Sequence, residues 1–134
     1  MIKFGRPPNF DKILAKFPGA AGAGVIFAYG KDIYTTGNLS IPGCLLAHEQ
    51  VHTGRQARVG TETWWDMYLA LPHFRYEEEL LAHAAEYRFQ VEHGGRSFRR
   101  SLLKTTAVRL TAPLYGYDIT LNKATKDLRK ELLL

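Results

Sequence analysis

Cysteine is nearly absent from this chain. Cys44 is the single one, which excludes an internal disulfide framework and any zinc finger built on cysteine pairs. A membrane-spanning apolar run is missing too: the uncharged, Gly- and Ala-rich stretch Ala20–Gly30 has eleven residues, too few to cross a bilayer. The opening segment, Met1-Ile2-Lys3-Phe4-Gly5-Arg6-Pro7-Pro8, has no apolar core ahead of a small-residue cleavage site and does not read as a signal peptide. No internal repeat and no low-complexity segment is visible. These absences predict a protein of the cytoplasm, or one carried in a virion, that makes no use of a membrane. What is present is ordinary globular material. The chain has 134 residues, 46% hydrophobic and 23% charged, which suits one packed domain and argues against disorder.

Acidic residues are the scarcer charge, 13 against 18 Lys and Arg, for a net +5. The surplus gathers late, with Arg96, Arg99, Arg100, Lys104 and Arg109 inside fourteen residues. A helix starting near Ser97 would put Arg96, Arg99 and Arg100 on roughly one face, where they could touch phosphate. No aromatic interleaving or nucleic-acid signature accompanies them, so the run reads first as a solvated face, and nucleic acid is not an expected partner.

Phe10, Ile13, Leu14 and Phe17 recur at helical spacing, with Pro18-Gly19 as the stop. Val25–Tyr29 and Asp32–Thr35 read as two strands joined at Gly30-Lys31, the only convincing hairpin, so any sheet is small. The rest reads as helices: Gly43–Val59 stopped by Gly60, Glu62–Leu71 capped by Thr61 and ended by Pro72, and Phe74–Glu92 stopped by glycines. A fourth is capped by Ser97 and breaks at Pro113, and Thr120 caps a last one through Leu134. The expected class is α+β, mainly α, in one domain over residues 1–134. Its working core lies at about 25–93 and the C-terminal helices at about 97–134.

Within the Gly43–Val59 helix stands Leu45-Leu46-Ala47-His48-Glu49-Gln50-Val51-His52, which contains His-Glu-x-x-His. Four helical residues advance about 400°, so the two imidazoles sit about 40° apart around the axis and about 6 Å apart along it. They can converge on one cation from a single face. Glu49 is turned about 100° from His48 and can reach a water on that cation. Zn²⁺ brings the pKa of such a water toward ~7, and the carboxylate can take its proton as it attacks a carbonyl.

A catalytic zinc site needs a third protein ligand and an open position. No further histidine follows in His52-Thr53-Gly54-Arg55-Gln56-Ala57-Arg58, so the ligand must come from elsewhere. The Phe74–Glu92 helix offers Glu77, Glu78, Glu79, His83 and Glu86. Helical phase leaves Glu79 and Glu78 in competition. The stripe Glu79, His83, Glu86, Gln90 also fits the solvated face of an amphipathic helix, with Leu80, Ala84, Tyr87 and Val91 buried instead.

In these residues the chain resembles the gluzincins, the thermolysin-like zinc metallopeptidases, and most closely the minimal cores of that clan found in small phage-encoded proteins. Those carry a strand, a His-Glu-x-x-His-x-x-x-Gln helix and a downstream Arg-x-x-x-Glu helix, matched here over roughly residues 25–90 by Tyr29–Tyr34, His48–Gln56 and Arg75–Ala82. The resemblance implies Glu79 as the third zinc ligand beside His48 and His52, and Glu49 as the catalytic carboxylate. It places His83, where the family usually has Asp, as the neighbour that orients a ligand or faces substrate. It also implies a small sheet whose edge strand lies beside the metal and pairs with an extended peptide, with Tyr34–Leu39 as the candidate edge.

Peptide hydrolysis also needs an electrophile for the developing oxyanion. His73, Tyr76 and His83 are the candidates, against plainer roles for His73 as a loop residue and for Tyr76 packed with Phe74. Arg55 and Gln56 are expected to brace the Phe74–Glu92 helix. Cys44, one turn before His48, reads as a small buried hydrophobe. Trp64, Trp65, Met67, Tyr68 and Leu69 read as core. The expected activity is zinc-dependent cleavage of a peptide or protein. The alternatives are a non-catalytic, zinc-stabilised structural or binding module and, more weakly, a basic nucleic-acid-associated protein.

Overall fold

The computed structural model describes residues 1–94 and 98–134. The Ser97 cap and the Arg96 contribution to the basic face lie outside the described residues. The fold is mainly helical with one small sheet. Strand β1 (Ile2–Phe4) and helix α1 (Phe10–Lys16) lead into a 3₁₀ turn at Pro18–Ala21, then β2 (Ile26–Tyr29) and β3 (Asp32–Thr35). Helices α2 (Gly43–Val59), α3 (Thr61–Ala70), α4 (Pro72–His93), α5 (Arg99–Leu110) and α6 (Leu121–Glu131) follow, with a further 3₁₀ turn at Pro113–Tyr115.

The hairpin forms where the turn residues predict it. Gly30 takes φ +64°, the positive value that a two-residue turn of this hand needs at its first position. Strand β1 carries no turn signal, and only the tertiary structure supplies it. It pairs parallel with β3, Ile2 opposite Ile33, giving the order β1-β3-β2. This corrects the expected edge: Tyr34 and Thr35 belong to the central strand, and the edge that faces the helices is β2.

Helix α2 has the expected bounds, Gly43–Val59. Gly60 leads directly into α3, and no side chain, Thr61 included, caps α3. Thr120 caps α6 as expected, its hydroxyl accepting from Lys123 N at 3.2 Å. The Phe89 ring of α4 packs over Gly43 of α2, where a Cβ would stand 2.2 Å from it, so a larger residue there would have to displace the ring.

The apolar core falls into patches around that helix pair. Ile13, Ala20, Trp64, Trp65 and Tyr68 form one beside β2, as expected for the three aromatics, while Leu69 packs against it half-buried and Met67 stays outside it. Tyr76, Leu110, Tyr117 and Ala124 form a second, and Ala84, Ala107 and Leu128 a third. The α2–α4 interface differs in kind. The buried residues of α2 are His48, Glu49, His52 and Gln56, all polar. Facing them on α4 are Glu78, Glu79, His83 and Glu86, each no more than 2% exposed. Three members of the stripe that would suit a solvated face, Glu79, His83 and Glu86, are thus turned inward with Gln90 half-buried, while Ala84 and Tyr87 are buried as well. Burying this many ionisable groups opposes folding unless each finds a partner.

Candidate metal centre

One helical turn brings His48 and His52 to the same side of α2, with their Nε2 atoms 3.2 Å apart. Across the interface Glu79 places Oε1 3.1 Å from His48 Nε2 and Oε2 3.2 Å from His52 Nε2. A tetrahedral ion with ligand bonds of about 2.0–2.1 Å separates its ligand atoms by about 3.3 Å. These three side chains already stand at that spacing, and together they form a group able to hold a metal ion. Glu79 Oε1 is buried, with the imidazole nitrogens of His48 at 3.1 Å and His83 at 3.7 Å as its neighbours. The donor set, two imidazoles and a carboxylate, suits a divalent ion of the zinc type.

Glu78 is turned away. Its carboxylate receives Arg55 Nε at 3.0 and 3.1 Å and Trp64 Nε1 at 2.5 Å. The pair with Arg55 is the expected brace between α2 and α4. Gln56 does something else: it bonds to β2 and to the hairpin turn, at Ala28 O and Gly30 N.

Behind the imidazoles the partner of His48 is Glu86. Its Oε1 lies 2.5 Å from His48 Nδ1, and Arg109 of α5 closes on both carboxylate oxygens at 3.0 and 2.6 Å. A carboxylate on the far nitrogen of a ligating histidine fixes its tautomer and orientation. Glu86 stands seven residues after Glu79, two turns along the same face of α4. Its place in the polar stripe was visible in the sequence, whereas Arg109 was counted there among the solvated basic residues. His83 belongs to the same buried group but is engaged elsewhere, its Nδ1 2.8 Å from the Glu79 carbonyl oxygen and its ring against Tyr115. It also forms a possible second ligand group with His48 and Glu86.

The remaining contact to Glu79 comes from a residue read only as core. Tyr68 donates its hydroxyl to Oε2 at 2.7 Å. Two expected electrophiles stand away from the site. His73 is exposed and pairs with Glu77, and Tyr76 donates to Asp127 at 2.8 Å and packs on Tyr117. Cys44 is half-buried and outside both ligand groups among the described residues.

The His48–His52–Glu79 group opens on a cavity of about 140 Å³. Glu49 reaches its wall beside His48, His52 and Glu79, and Ile26, Phe27, Trp65 and Leu114 make it largely apolar. Tyr115, from the 3₁₀ turn at Pro113–Tyr115, lines it as well. Its walls therefore include α1 and residues 114–115, beyond the 25–93 segment expected to hold the working core.

Burial and neighbouring charge together set the protonation states. Burial raises the Glu49 carboxyl above its ordinary range, against the pull of the two nearby imidazoles. Burial alone would strip His48 of its proton, but Glu79 and Glu86 outweigh it and hold the imidazole pKa well above the usual value. Glu79 is likewise carried well below the carboxylate range by His52 and His48 despite its burial. Burial and then the charge on His48 push His83 down to about 4, so it is neutral at pH 7. Burial raises the Tyr68 and Tyr115 phenols well above their ordinary value, leaving both as proton donors.

No family model, curated protein or solved structure matches the chain.

Proposed function

We propose that this protein is a zinc-dependent peptide hydrolase with a minimal gluzincin-like core. The observation that carries the proposal is the convergence of His48, His52 and Glu79 at ligand spacing, with the Glu49 carboxylate on the same cavity wall. Zinc held by these three side chains would supply a Lewis acid for a carbonyl oxygen and make water more acidic.

The protein's own residues do the rest. Glu49, its basicity raised by the low-polarity wall, takes a proton from the attacking water and delivers it to the leaving amine. Tyr115, neutral and on the same wall, is placed to donate to the oxyanion. Tyr68 is committed to Glu79 and holds that carboxylate in place. The outer edge of β2 gives an extended substrate a strand to pair with. A non-catalytic, zinc-tied module is the second reading. The small cavity and the burial of all three ligands favour it, since a peptide must gain access past them.

Purified protein is expected to carry about one zinc per chain and to cut members of a capped peptide library, with cleavage stopped by a chelator and restored by Zn²⁺. A folded, metal-free protein that takes up no zinc would refute both readings.

Protons and metal compete at His48. In the ion-free protein its raised pKa makes it imidazolium, so each zinc bound near neutral pH expels a proton. Zinc affinity should therefore weaken about tenfold per pH unit of acidification while His48 stays charged. The ion-free protein has the opposite trend. The stability due to His48 is complete below its unfolded pKa of about 6.5 and is lost as pH rises through the higher folded value. The stability due to Glu79 is present above its unfolded pKa of about 4.3 and is lost as pH falls through the lower folded value. Melting curves with and without zinc, together with zinc titrations in buffers of different ionisation enthalpy, measure these trends. Zinc binding without proton release would contradict the assignment of His48.

A further inference from the structure

The outer edge of β2 runs beside the cavity, and α2 and α3 already occupy part of it. The two-residue turn makes Tyr29–Asp32 and Phe27–Tyr34 the hydrogen-bonded pairs of the hairpin. The backbone groups of Ile26 and Ala28 therefore point away from β3. The Ala28 carbonyl accepts two hydrogen bonds, from Gln56 Nε2 at 2.9 Å and Trp65 Nε1 at 3.1 Å. Both of its lone pairs are used. The Gly30 N–H donates to Gln56 Oε1 at 2.7 Å.

The Gln56 carboxamide thus pairs with β2 as the backbone of a neighbouring strand would, donating to one residue and accepting from the residue two places on. Gln56 is 1% exposed, so a peptide that displaced it would leave a buried amide without partners, at a cost larger than the hydrogen bond gained. Ile26 is the next outward-facing residue. It is half-buried, lines the cavity with His48 and Glu49, and its carbonyl receives no loop or side-chain donor among the described residues.

Resting on the hydrolase reading, we propose that the β2 edge accepts a backbone N–H from a bound peptide at one position only, at the Ile26 carbonyl. Strand addition ordinarily offers an acceptor at every second residue of the edge. Here Gln56 and Trp65 close the series after one. The substrate class is therefore an extended peptide that needs an amide at one backbone position. It tolerates an ester, N-alkyl or proline linkage two residues away, where its chain leaves the edge at Ala28 before the hairpin turn.

Zinc-loaded Glu49→Gln protein, titrated with acetylated and amidated Ala-Ala-Phe-Leu-Ala-Ala and with its single amide-to-ester replacements, tests this. Binding is read by tryptophan fluorescence and by the amide resonance of Ile26. One ester is expected to weaken binding about tenfold, the cost of one unmade hydrogen bond at a half-buried residue, and esters two residues to either side should stay within about twofold. Sensitivity at two positions spaced by two residues, sensitivity at none, or no binding would overturn the proposal. Wild-type turnover of the same peptide is scored separately. The single-position pattern without turnover removes the hydrolase reading and leaves the edge assignment standing, whereas turnover without that pattern does the reverse.

Discussion

Glu49→Gln is expected to lower peptide cleavage by about 10²–10⁴-fold, the range a general base contributes, while zinc content and melting temperature stay near those of the wild type. Glutamine keeps the shape of the side chain and its place on the cavity wall but cannot accept the proton of the attacking water. Because Glu49 is 8% exposed and burial disfavours its charged form, the neutral amide should if anything relieve the folded state. Tyr115→Phe is the companion variant. It removes one donor and should cost about 10²–10³-fold in kcat with little change in KM, because the hydroxyl matters most once the oxyanion forms. If wild-type protein holds zinc but cuts no peptide, neither variant has a rate to lower, and the zinc-tied module becomes the better account.

Glu79→Gln and Glu78→Gln should separate two adjacent carboxylates that the sequence leaves in competition. Replacing Glu79 removes the negative charge that stands 3.1 and 3.2 Å from the two imidazoles. Zinc affinity should fall well beyond the roughly 10–100-fold that loss of an outer partner costs. The pH dependence of the ion-free protein should flatten as well, because His48 loses one of the carboxylates that hold its proton. Replacing Glu78 should leave zinc in place and act on stability instead, by about 1–3 kcal/mol, since Arg55 loses its charge partner while Trp64 keeps an acceptor. Equal zinc loss in the two variants would count against Glu79 as the ligand. Elemental analysis after dialysis, paired with thermal unfolding, measures both quantities.

The legible parts of this molecule are the periodic and the punctuated ones. Gly30-Lys31 between two β-rich runs predicted the hairpin, and Gly60 and Pro72 bounded α2 and α3 because chain direction changes there whatever the surroundings. The His-Glu-x-x-His spacing placed two imidazoles on one helix face, which is geometry internal to α2. Strand β1 went unread because three residues carry no periodic signal, and only pairing with β3 makes them a strand. That missing strand is also why Tyr34 was expected at an edge: with β1 in place, β3 becomes the centre and β2 the strand along the cavity.

Hydrophobic patterning gave no help at the α2–α4 contact, since a buried polar stripe looks the same in sequence as a solvated one. Only its neighbour in space reveals which it is. Arg109 illustrates the same limit. In sequence it extends a basic run, and in the fold α5 lays it against Glu86, making it part of the support for His48.

By itself the sequence determined the mainly helical class, the hairpin and the pairing of His48 with His52, because each depends on residues within a turn or two of one another. The tertiary structure decided that Glu79 faces the imidazoles and Glu78 faces Arg55. It also decided that Glu86 backs His48 and that Gln56 closes the β2 edge. Those contacts join residues 23 to 38 positions apart, and no local rule fixes which face of one helix meets which face of another until the whole chain has packed.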